Sequence, residues 1–512
     1  MLYDMTPATP GADWLPPRAN ESNGAAGNSA APRPVYGLND TGNADRLADA
    51  FGEDLIYCHE RRAYYVWTGQ RWQYDEFIQV ERRAEQTIRG AFAEAGSLDD
   101  QTERTALFRF LNKSLSRISL ASMIHLAKKK VRAIGATDLD RDPWLLNVEN
   151  GTIDLKTGGL RPPCREDLIS KLIPLQYDPS AQCPRFMRFI YRIMGDGPDA
   201  SVDAKERADR MVKYLQRLFG CAATGKAEKV LVVFYGHFGN NGKTTLLTTV
   251  SRALGDREYS TQINIDSLMA DPRGLGGNNA VNADLADLQG ARFVFTSEVG
   301  KGQRLSLGRV KYLTGITAIR TRRLRENWIN FSPTHKIFMD CNDRPVISSP
   351  TDAVWNRVLC VPFDVVIPDE EIDTDLPQKL EAELPGILAW IVEGALDYYR
   401  DGLRHCPPEV RASTDDYRES SDRLKEFIED CCRINPFAWV SSERIVGAYE
   451  EWCHRNGEKL PLQGRDFTDQ LRDKGCAPKS KEIHGKSVRG WVGIDLMESA
   501  RSQELERNHD HQ

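Results

Sequence analysis

Lys229-Val230-Leu231-Val232-Val233-Phe234-Tyr235-Gly236-His237-Phe238-Gly239-Asn240-Asn241-Gly242-Lys243-Thr244-Thr245-Leu246-Leu247 decides the fold. It reads as a buried strand, a loop of glycine and asparagine, and the start of a helix. In that order, backbone N–H groups at a helix N-terminus can surround phosphate oxygens. Gly239 and Gly242 let the main chain approach the phosphates, with Asn240, Asn241 and Thr245 completing the cradle. Lys243 places a positive charge on the β and γ phosphates, and the Thr244 hydroxyl can take up Mg²⁺. The expected ligands are therefore ATP and Mg²⁺. A strict count of four residues before Gly-Lys puts the first loop position at His237, with Gly236 one residue early, so the loop's entry departs from the usual spacing.

Hydrolysis needs an acid on a neighbouring strand. The next buried-strand pattern, Ala291 to Ser297, ends in Glu298, 55 residues after Lys243, the candidate to polarise a water and serve the metal. Ser297 stands where many such sites carry a first acid, so the metal would rest on Thr244, phosphates and waters besides Glu298. A third pattern, His335 to Asn342, ends in an amide suited to sensing the γ-phosphate. Arg357, ahead of the strand pattern Val358 to Phe363, could neutralise charge on the transferred phosphoryl group from an adjacent subunit. Between these acids and amides, Arg309 to Arg325 carries six basic residues and no acid, which suits Lys311, Arg320, Arg322, Arg323 and Arg325 to nucleic-acid phosphates.

The 512 residues are 40% hydrophobic and 28% charged, enough apolar material for several cores. The longest apolar runs, such as Val230 to Tyr235, are strand-sized, so no membrane partner is expected. Met1-Leu2-Tyr3-Asp4 has neither a basic nor an apolar leader region, which places the chain in the cytoplasm. The net charge of −6 requires any nucleic-acid contact to be local. Eleven cysteines without paired CxxC spacing read as reduced, mostly buried thiols, Cys431, Cys432 and Cys453 included.

Residues 1–36, rich in Pro, Gly, Ala and Ser, read as a disordered tail, as do 498–512. Residues 37–190 read as a mixed α+β domain. It holds an aromatic hairpin over Tyr64 to Trp72, helices over Glu81–Ala95 and Ser119–Ile134, and an Asn150-Gly151 turn of type I′. Asp138-Leu139-Asp140 reads as a polar turn and Lys128 to Lys130 as a solvated helix face. The ATPase core is placed at 191–400 and a linker at 401–420. In 421–497, apolar positions at helical spacing (Leu424, Phe427, Ile428, Cys431; Ile445, Tyr449, Trp452), a third helix over Gln463–Lys474 and a basic hairpin with Lys481, Lys486 and Arg489 fit a winged helix that binds DNA or a protein.

These elements together resemble superfamily III helicases, specifically the phage/plasmid primase-helicase family of satellite phages and its poxvirus-type relatives. The matching residues are Trp67 to Trp72; Leu145-Leu146-Asn147 with Asn150-Gly151 and Asp154-Leu155; Asn241 to Thr244; Gly290-Ala291-Arg292 through Glu298; Lys311 with Leu313-Thr314-Gly315; Cys341-Asn342 with Pro345; Trp355-Asn356-Arg357 with Pro362-Phe363; and Leu384 to Trp390. Ile316-Thr317 replaces the Gly-Asp that often follows Thr-Gly in that family. The resemblance implies an α/β, AAA+-like P-loop core with an N-terminal collar and oligomerisation domain and a C-terminal winged helix. It implies an ATP-driven helicase or translocase, a homo-oligomeric ring, a hexamer, threading single-stranded or forked DNA in the replication of a phage, prophage or plasmid in a bacterial host. By that likeness Lys243 and Thr244 bind ATP and Mg²⁺, Glu298 activates water, Asn342 senses the γ-phosphate, Arg357 acts from the neighbour, and the segment around Lys311 grips DNA. The polymerising primase domain of full-length members is not expected here, so a separate primase or replication protein is a candidate partner. Two other classes stay open: a nucleotide-switched origin-binding initiator that does not unwind, and a small-molecule kinase that would give Arg320 to Arg325 no role.

Overall fold

The computed structural model describes residues 35–497 apart from 77, 271–282, 297, 301–302, 316, 323–327, 348–351, 404, 457–461 and 463, with backbone alone at 283, 284, 352, 423, 465 and 466. The tails read at 1–36 and 498–512 thus lie outside it, except residues 35 and 36. The chain separates into two units, one of residues up to Ala50 with Arg83–Lys130, the other of Phe51–Arg82 with everything from Val131 onward. The first is helical. Leu47, Ile88, Leu111 and Met123 are buried in it, Asn43 Nδ2 donates to Ser114 Oγ at 2.9 Å, and the Arg46 guanidinium lies 4.5 Å from the Tyr36 ring. A helix Gln101–Ser114 appears that the sequence reading did not place, and the helix expected to run to Ile134 stops at Ala127. Lys128 to Lys130 therefore follow that helix's C-terminus rather than lining its face, and Lys130 pairs with Asp45.

In the second unit, the aromatic hairpin forms as expected, with Ala63–Trp67 antiparallel to Trp72–Tyr74 and Trp67 opposite Trp72. Arg132–Ile134 joins the same sheet as a strand parallel to Leu55–Cys58. The second hairpin also forms, Leu145–Val148 against Gly151–Asp154, but not with the expected type I′ turn. Neither Glu149 nor Asn150 has positive φ, and Gly151 sits at φ 155°. Asn150 is instead bound in both directions to the Tyr177 backbone at 2.9 Å, so a neighbouring segment sets the turn's shape. Asp138 accepts from Gly135 N at 2.7 Å and Asp140 from Ser170 N at 2.7 Å, which makes this pair of acids a tied turn.

The larger sheet carries the candidate site. Its strands are β1 (Leu231–Tyr235), β2 (Ser260–Ile263), β3 (Phe293–Thr296), β4 (Lys336–Cys341) and β5 (Val358–Pro362), all parallel, in the order β5-β1-β4-β3-β2. Along β1 the side chains alternate between two buried faces: Val232 and Phe234 enter one core, Leu231 and Val233 the other. This is why the strand reads as an unbroken apolar run. On the first face lie α1 (Pro184–Ile193), α2 (Val202–Ala223), α3 (Lys243–Ala253) and α5 (Leu384–Asp401). Phe219 of α2 sits at their centre, stacked on Phe338 at 5.6 Å with Phe293 and Phe234 edge-on. The second face receives α4 (Leu307–Leu313) and α6 (Pro408–Ser420). Residues 401–420, read as a linker, thus hold a helix whose Val410 and Tyr417 are buried against the sheet's cores.

Beyond α6, residues 421–497 form the helices Arg423–Cys431, Ser442–Arg455 and Gly464–Asp473 and a sheet of Cys432–Ser441, Gly490–Leu496 and Ala477–Pro478. A two-stranded hairpin, Lys481–Ile483 against Lys486–Val488, turns at His484 and Gly485, both with positive φ. All eleven cysteines are free thiols, and no group of metal-ligating side chains is found among the described residues. No described helix is long and apolar enough to cross a membrane.

Two cations are buried where the sheet begins. Arg292 Nη1 donates to Ala223 O at 2.9 Å and Nη2 to Leu145 O at 2.8 Å, while Lys336 Nζ reaches Thr224 Oγ1 at 3.2 Å and the Thr224 carbonyl. Both sit on the C-terminal carbonyls of α2, the negative end of its dipole. Burial pushes the Lys336 ammonium down to about 8.

Close packing makes two glycines of contrasting value. A Cβ on Gly220 of α2 would lie 2.0 Å from the Gly394 carbonyl carbon of α5, whereas one on Gly447 would meet nothing within 4 Å. Gly220→Ala is expected to lower stability by about 1–3 kcal/mol or more through overpacking, and Gly447→Ala to raise it by about 0.5–1 kcal/mol through helix propensity; urea unfolding of both reads the opposite signs.

His335 gives a pH-dependent counterpart. Its Nε2–H donates to Leu313 O at 3.0 Å, its Nδ1 is buried without a partner, and burial pulls its pKa from 6.5 to about 4. Between those values unfolding takes up a proton, so this residue's contribution to stability falls as pH drops from about 6.5 towards 4. Urea unfolding at pH 7 and pH 5 should show a shallower loss for His335→Gln than for the wild type; an equal loss would contradict the assignment.

Candidate nucleotide site

The loop from Gly236 to Gly242 leaves the C-terminal end of β1 and enters α3 at Lys243. Two residues in it take left-handed backbone, Asn240 at φ 63° and Gly242 at φ 78°. At 242 only glycine fits. Besides the dihedral, a Cβ there would lie 2.7 Å from Ile193 Cγ2, because α1 presses on the loop. Asn240 is bound on both sides to Ile367, its Nδ2 donating to the Ile367 carbonyl at 3.0 Å and its carbonyl accepting from Ile367 N at 2.9 Å. Asn241 is buried and its Nδ2 donates to Phe238 O at 2.7 Å, bracing the loop from inside. His237, Phe238 and Gly239 face solvent at the loop's tip, and Thr245, the third residue of the helix, is half-buried.

Lys243 is buried, and its ammonium is held by four oxygens. It donates to Asn342 Oδ1 at 2.8 Å, Asn241 Oδ1 at 2.9 Å and Gly236 O at 3.4 Å, and lies 3.7 Å from Asp340 Oδ1. Burial lowers its pKa, with the charges of Asp340 and Glu298 acting in the opposite sense. The amide of Asn342 then donates from Nδ2 to Glu298 Oε1. Lys243, Asn342 and Glu298, picked out from three separate strand-end patterns, thus form one connected chain of side chains at the C-terminal ends of β1, β4 and β3.

Thr244 Oγ1 donates to Asp340 Oδ2 at 2.6 Å. Asp340 was not singled out from the sequence, although the signal was present: a lone carboxylate inside the strand Lys336–Cys341, every residue of which is buried. The oxygen donors here, Thr244 hydroxyl and the carboxylates of Asp340 and Glu298, are the hard ligands that suit Mg²⁺ in a phosphate site.

Arg357 lies at the other end of the sheet. Its carbonyl accepts from Leu231 N at the start of β1, and its guanidinium donates to Thr314 O at 3.1 Å and Thr314 Oγ1 at 3.3 Å. The length of β1, about 13 Å at strand rise, separates it from its own chain's loop. Its guanidinium rests on Thr314, away from that loop.

Of the basic segment, Lys311 and Arg320 are exposed, and Arg309 is tied to the carbonyls of Asp266 and Met269. Arg323 and Arg325 lie outside the described residues, as does Ser297. Ile319–Thr321 pairs with Ile329–Phe331 as an antiparallel hairpin, and Tyr312 of α4 holds its first strand by accepting from Arg320 N at 2.7 Å. Arg320 and Arg322 flank the half-exposed Trp328 ring at 4.9 and 4.8 Å, an aromatic that follows the stretch read as basic and was missed for that reason. Lys486 and Arg489 are exposed on and beside the hairpin of the last segment, far in sequence from the loop.

Comparison with known proteins points in the same direction. Residues 44–195 match the family described as D5 N terminal like. A protein of Acanthamoeba polyphaga mimivirus named "Putative helicase" is 28% identical over 62% of this chain and 34% of its own length. One of Frog virus 3 with the same name is 24% identical over 69% of this chain and 42% of its own. A "Putative primase" of African swine fever virus is 23% identical over 62% and 34%. The chain spans about a third to two fifths of the length of these relatives, and their viral sources lend no support to a bacterial host. The apo structure of the NrS-1 C terminal region matches with a TM-score of 0.45 at 11% identity, over 88% of this chain and 98% of that one. Residues 44–195 are thus similar to the D5 N terminal like family, and the wider chain is similar to viral proteins named as helicases and primases.

Proposed function

We propose that the protein is an ATP-dependent DNA helicase or translocase of a viral or mobile-element replication system, acting as a ring-shaped homo-oligomer, a hexamer by family likeness. The observation that carries this reading is the connected set Lys243–Asn342–Glu298 around the loop between β1 and α3. The strand order β5-β1-β4-β3-β2 supports an AAA+-like core, with Glu298 just beyond β3 and Asn342 just beyond β4, one strand nearer the loop.

The ammonium of Lys243 is satisfied by Asn241, Asn342 and Asp340. A γ-phosphate offers stronger acceptors, so Lys243 turns to it, and Asn342, released, follows the phosphate or the attacking water. Asn342 then no longer occupies Glu298, whose carboxylate becomes available to take a proton from that water. Thr244, with the carboxylates of Asp340 and Glu298 nearby, would hold a Mg²⁺ ion, which when bound would supply charge compensation to the phosphates. Arg357 faces away from this cradle, which suits a residue that serves a neighbour's, and its bond to Thr314 ties it to the end of α4 next to the Ile319–Phe331 hairpin. Hydrolysis at one interface can in this way move the hairpin of the next subunit along DNA.

We read 421–497 as a winged helix whose wing is the hairpin Lys481–Val488. Its exposed Lys486 and the adjacent Arg489 favour DNA, and they are what supports the second reading, an initiator that binds DNA under nucleotide control without unwinding it. A strand-displacement assay on forked DNA separates the two readings. The names of the relatives support a replication role, and a primase acting in trans or on the same longer protein is a fitting partner.

Lys243→Ala is expected to abolish ATP turnover, and Glu298→Gln to retain nucleotide binding while turnover drops about 10²–10⁴-fold. Arg357→Ala should lower turnover about 10³-fold, and mixing it with Lys243→Ala chains should recover part of the activity, because the mixed interfaces pair an intact loop with an intact guanidinium. Mixtures as inactive as either variant alone would refute action in trans.

A further inference from the structure

We infer that Asp340 is a positioning residue for the divalent cation, the carboxylate that stands in for the first acid missing at Ser297. The inference rests on the phosphate-site reading of the loop and assigns a role that reading leaves open.

Three observations converge on it. Asp340 is 4% exposed in a strand whose every residue is buried, between β1 and β3 in the middle of the sheet. A carboxylate at such a place is costly unless its oxygens are fully engaged. Both of its oxygens point to the loop's functional side chains: Oδ2 accepts from Thr244 Oγ1 at 2.6 Å, and Oδ1 lies 3.7 Å from Lys243 Nζ. The direction of the first bond matters most. Because the hydroxyl donates its proton to Asp340, the lone pairs of Oγ1 are left free, which is the orientation a hydroxyl must have to act as a metal ligand. The sequence carries no acid immediately before Glu298, whereas Asp340 supplies a charge from β4, the strand that pairs with both β1 and β3.

A purely structural reading makes Asp340 a counter-charge for Lys243. The two roles separate in the metal dependence of nucleotide binding. Fluorescent ADP (the mant derivative) is titrated onto the full chain in EDTA, and then at fixed nucleotide with increasing Mg²⁺. Asp340→Asn and Asp340→Glu are both compared with wild type, each checked for a retained melting transition; the second keeps the charge but moves the carboxylate by one methylene. The Mg²⁺ midpoint is expected to rise about 10–100-fold in both variants, by a clearly larger factor than any change of affinity in EDTA. Low-temperature Mn²⁺ spectra of the nucleotide complex should change in the same variants. An unchanged Mg²⁺ midpoint in either folded variant, or weakening of equal size with and without the metal, overturns the role of Asp340. Wild-type protein that fails to bind nucleotide under both conditions overturns the phosphate-site reading instead.

Discussion

A buried ammonium surrounded by oxygens at the edge of an apolar sheet organises this protein. Lys243 is almost fully enclosed, so its charge must be matched locally. Asn241, the Gly236 carbonyl, Asn342 and Asp340 do so from the loop and from β4. Each of those groups is in turn fixed by something further away. Asn241 is braced on Phe238 O, Asn342 on Glu298, Asp340 on Thr244, and the loop's backbone on Ile367 and Ile193. On the proposed reading, a ligand with more negative charge than this shell would redistribute all of them together, which would couple binding to a change elsewhere.

The two ends of the sheet divide the work. At the C-terminal ends of the strands stand the loop, the acid and the amide. At the N-terminal ends, Arg292 and Lys336 anchor β3 and β4 to the last carbonyls of α2, and Arg292 also reaches Leu145 O in the N-terminal hairpin. These cations are structural: each is buried and bound to backbone carbonyls. Arg357 shares that end yet is only half-buried, and its guanidinium rests on Thr314. Its carbonyl accepts from the first residue of β1, at the end of the sheet opposite the loop.

Much of the site was legible because strand-end residues announce themselves. Glu298, Asn342 and the Gly-Lys-Thr sequence each follow an apolar run, and the parallel pairing of β1, β4 and β3 brings their ends to one place. Asp340 escaped because it lies within such a run, two residues before the amide that ended the pattern. Ser260–Ile263 was missed for the opposite reason: a short strand with polar Ser260, Thr261 and Gln262 has no apolar alternation to detect, and its pairing with β3 makes it a strand. Tertiary contacts also overrode local signals at Asn150-Gly151, where bonds to Tyr177 chose the turn, and at 408–420, where a polar helix is held by the burial of Val410 and Tyr417. Trp328 carries no signal until the hairpin folds and brings Arg320 and Arg322 within 4.9 and 4.8 Å of its ring.

The account's central claim is that the loop at 239–245 is a triphosphate cradle completed by a second copy of the chain. Imaging the full-length protein with forked DNA, Mg²⁺ and a non-hydrolysable ATP analogue tests it in a single experiment. The account predicts phosphates against Gly239 to Thr245, the Asn342–Glu298 bond opened, and the Arg357 guanidinium of an adjacent copy within reach of the γ-phosphate. A particle of one chain, or nucleotide bound with every Arg357 directed away from it, would contradict the claim.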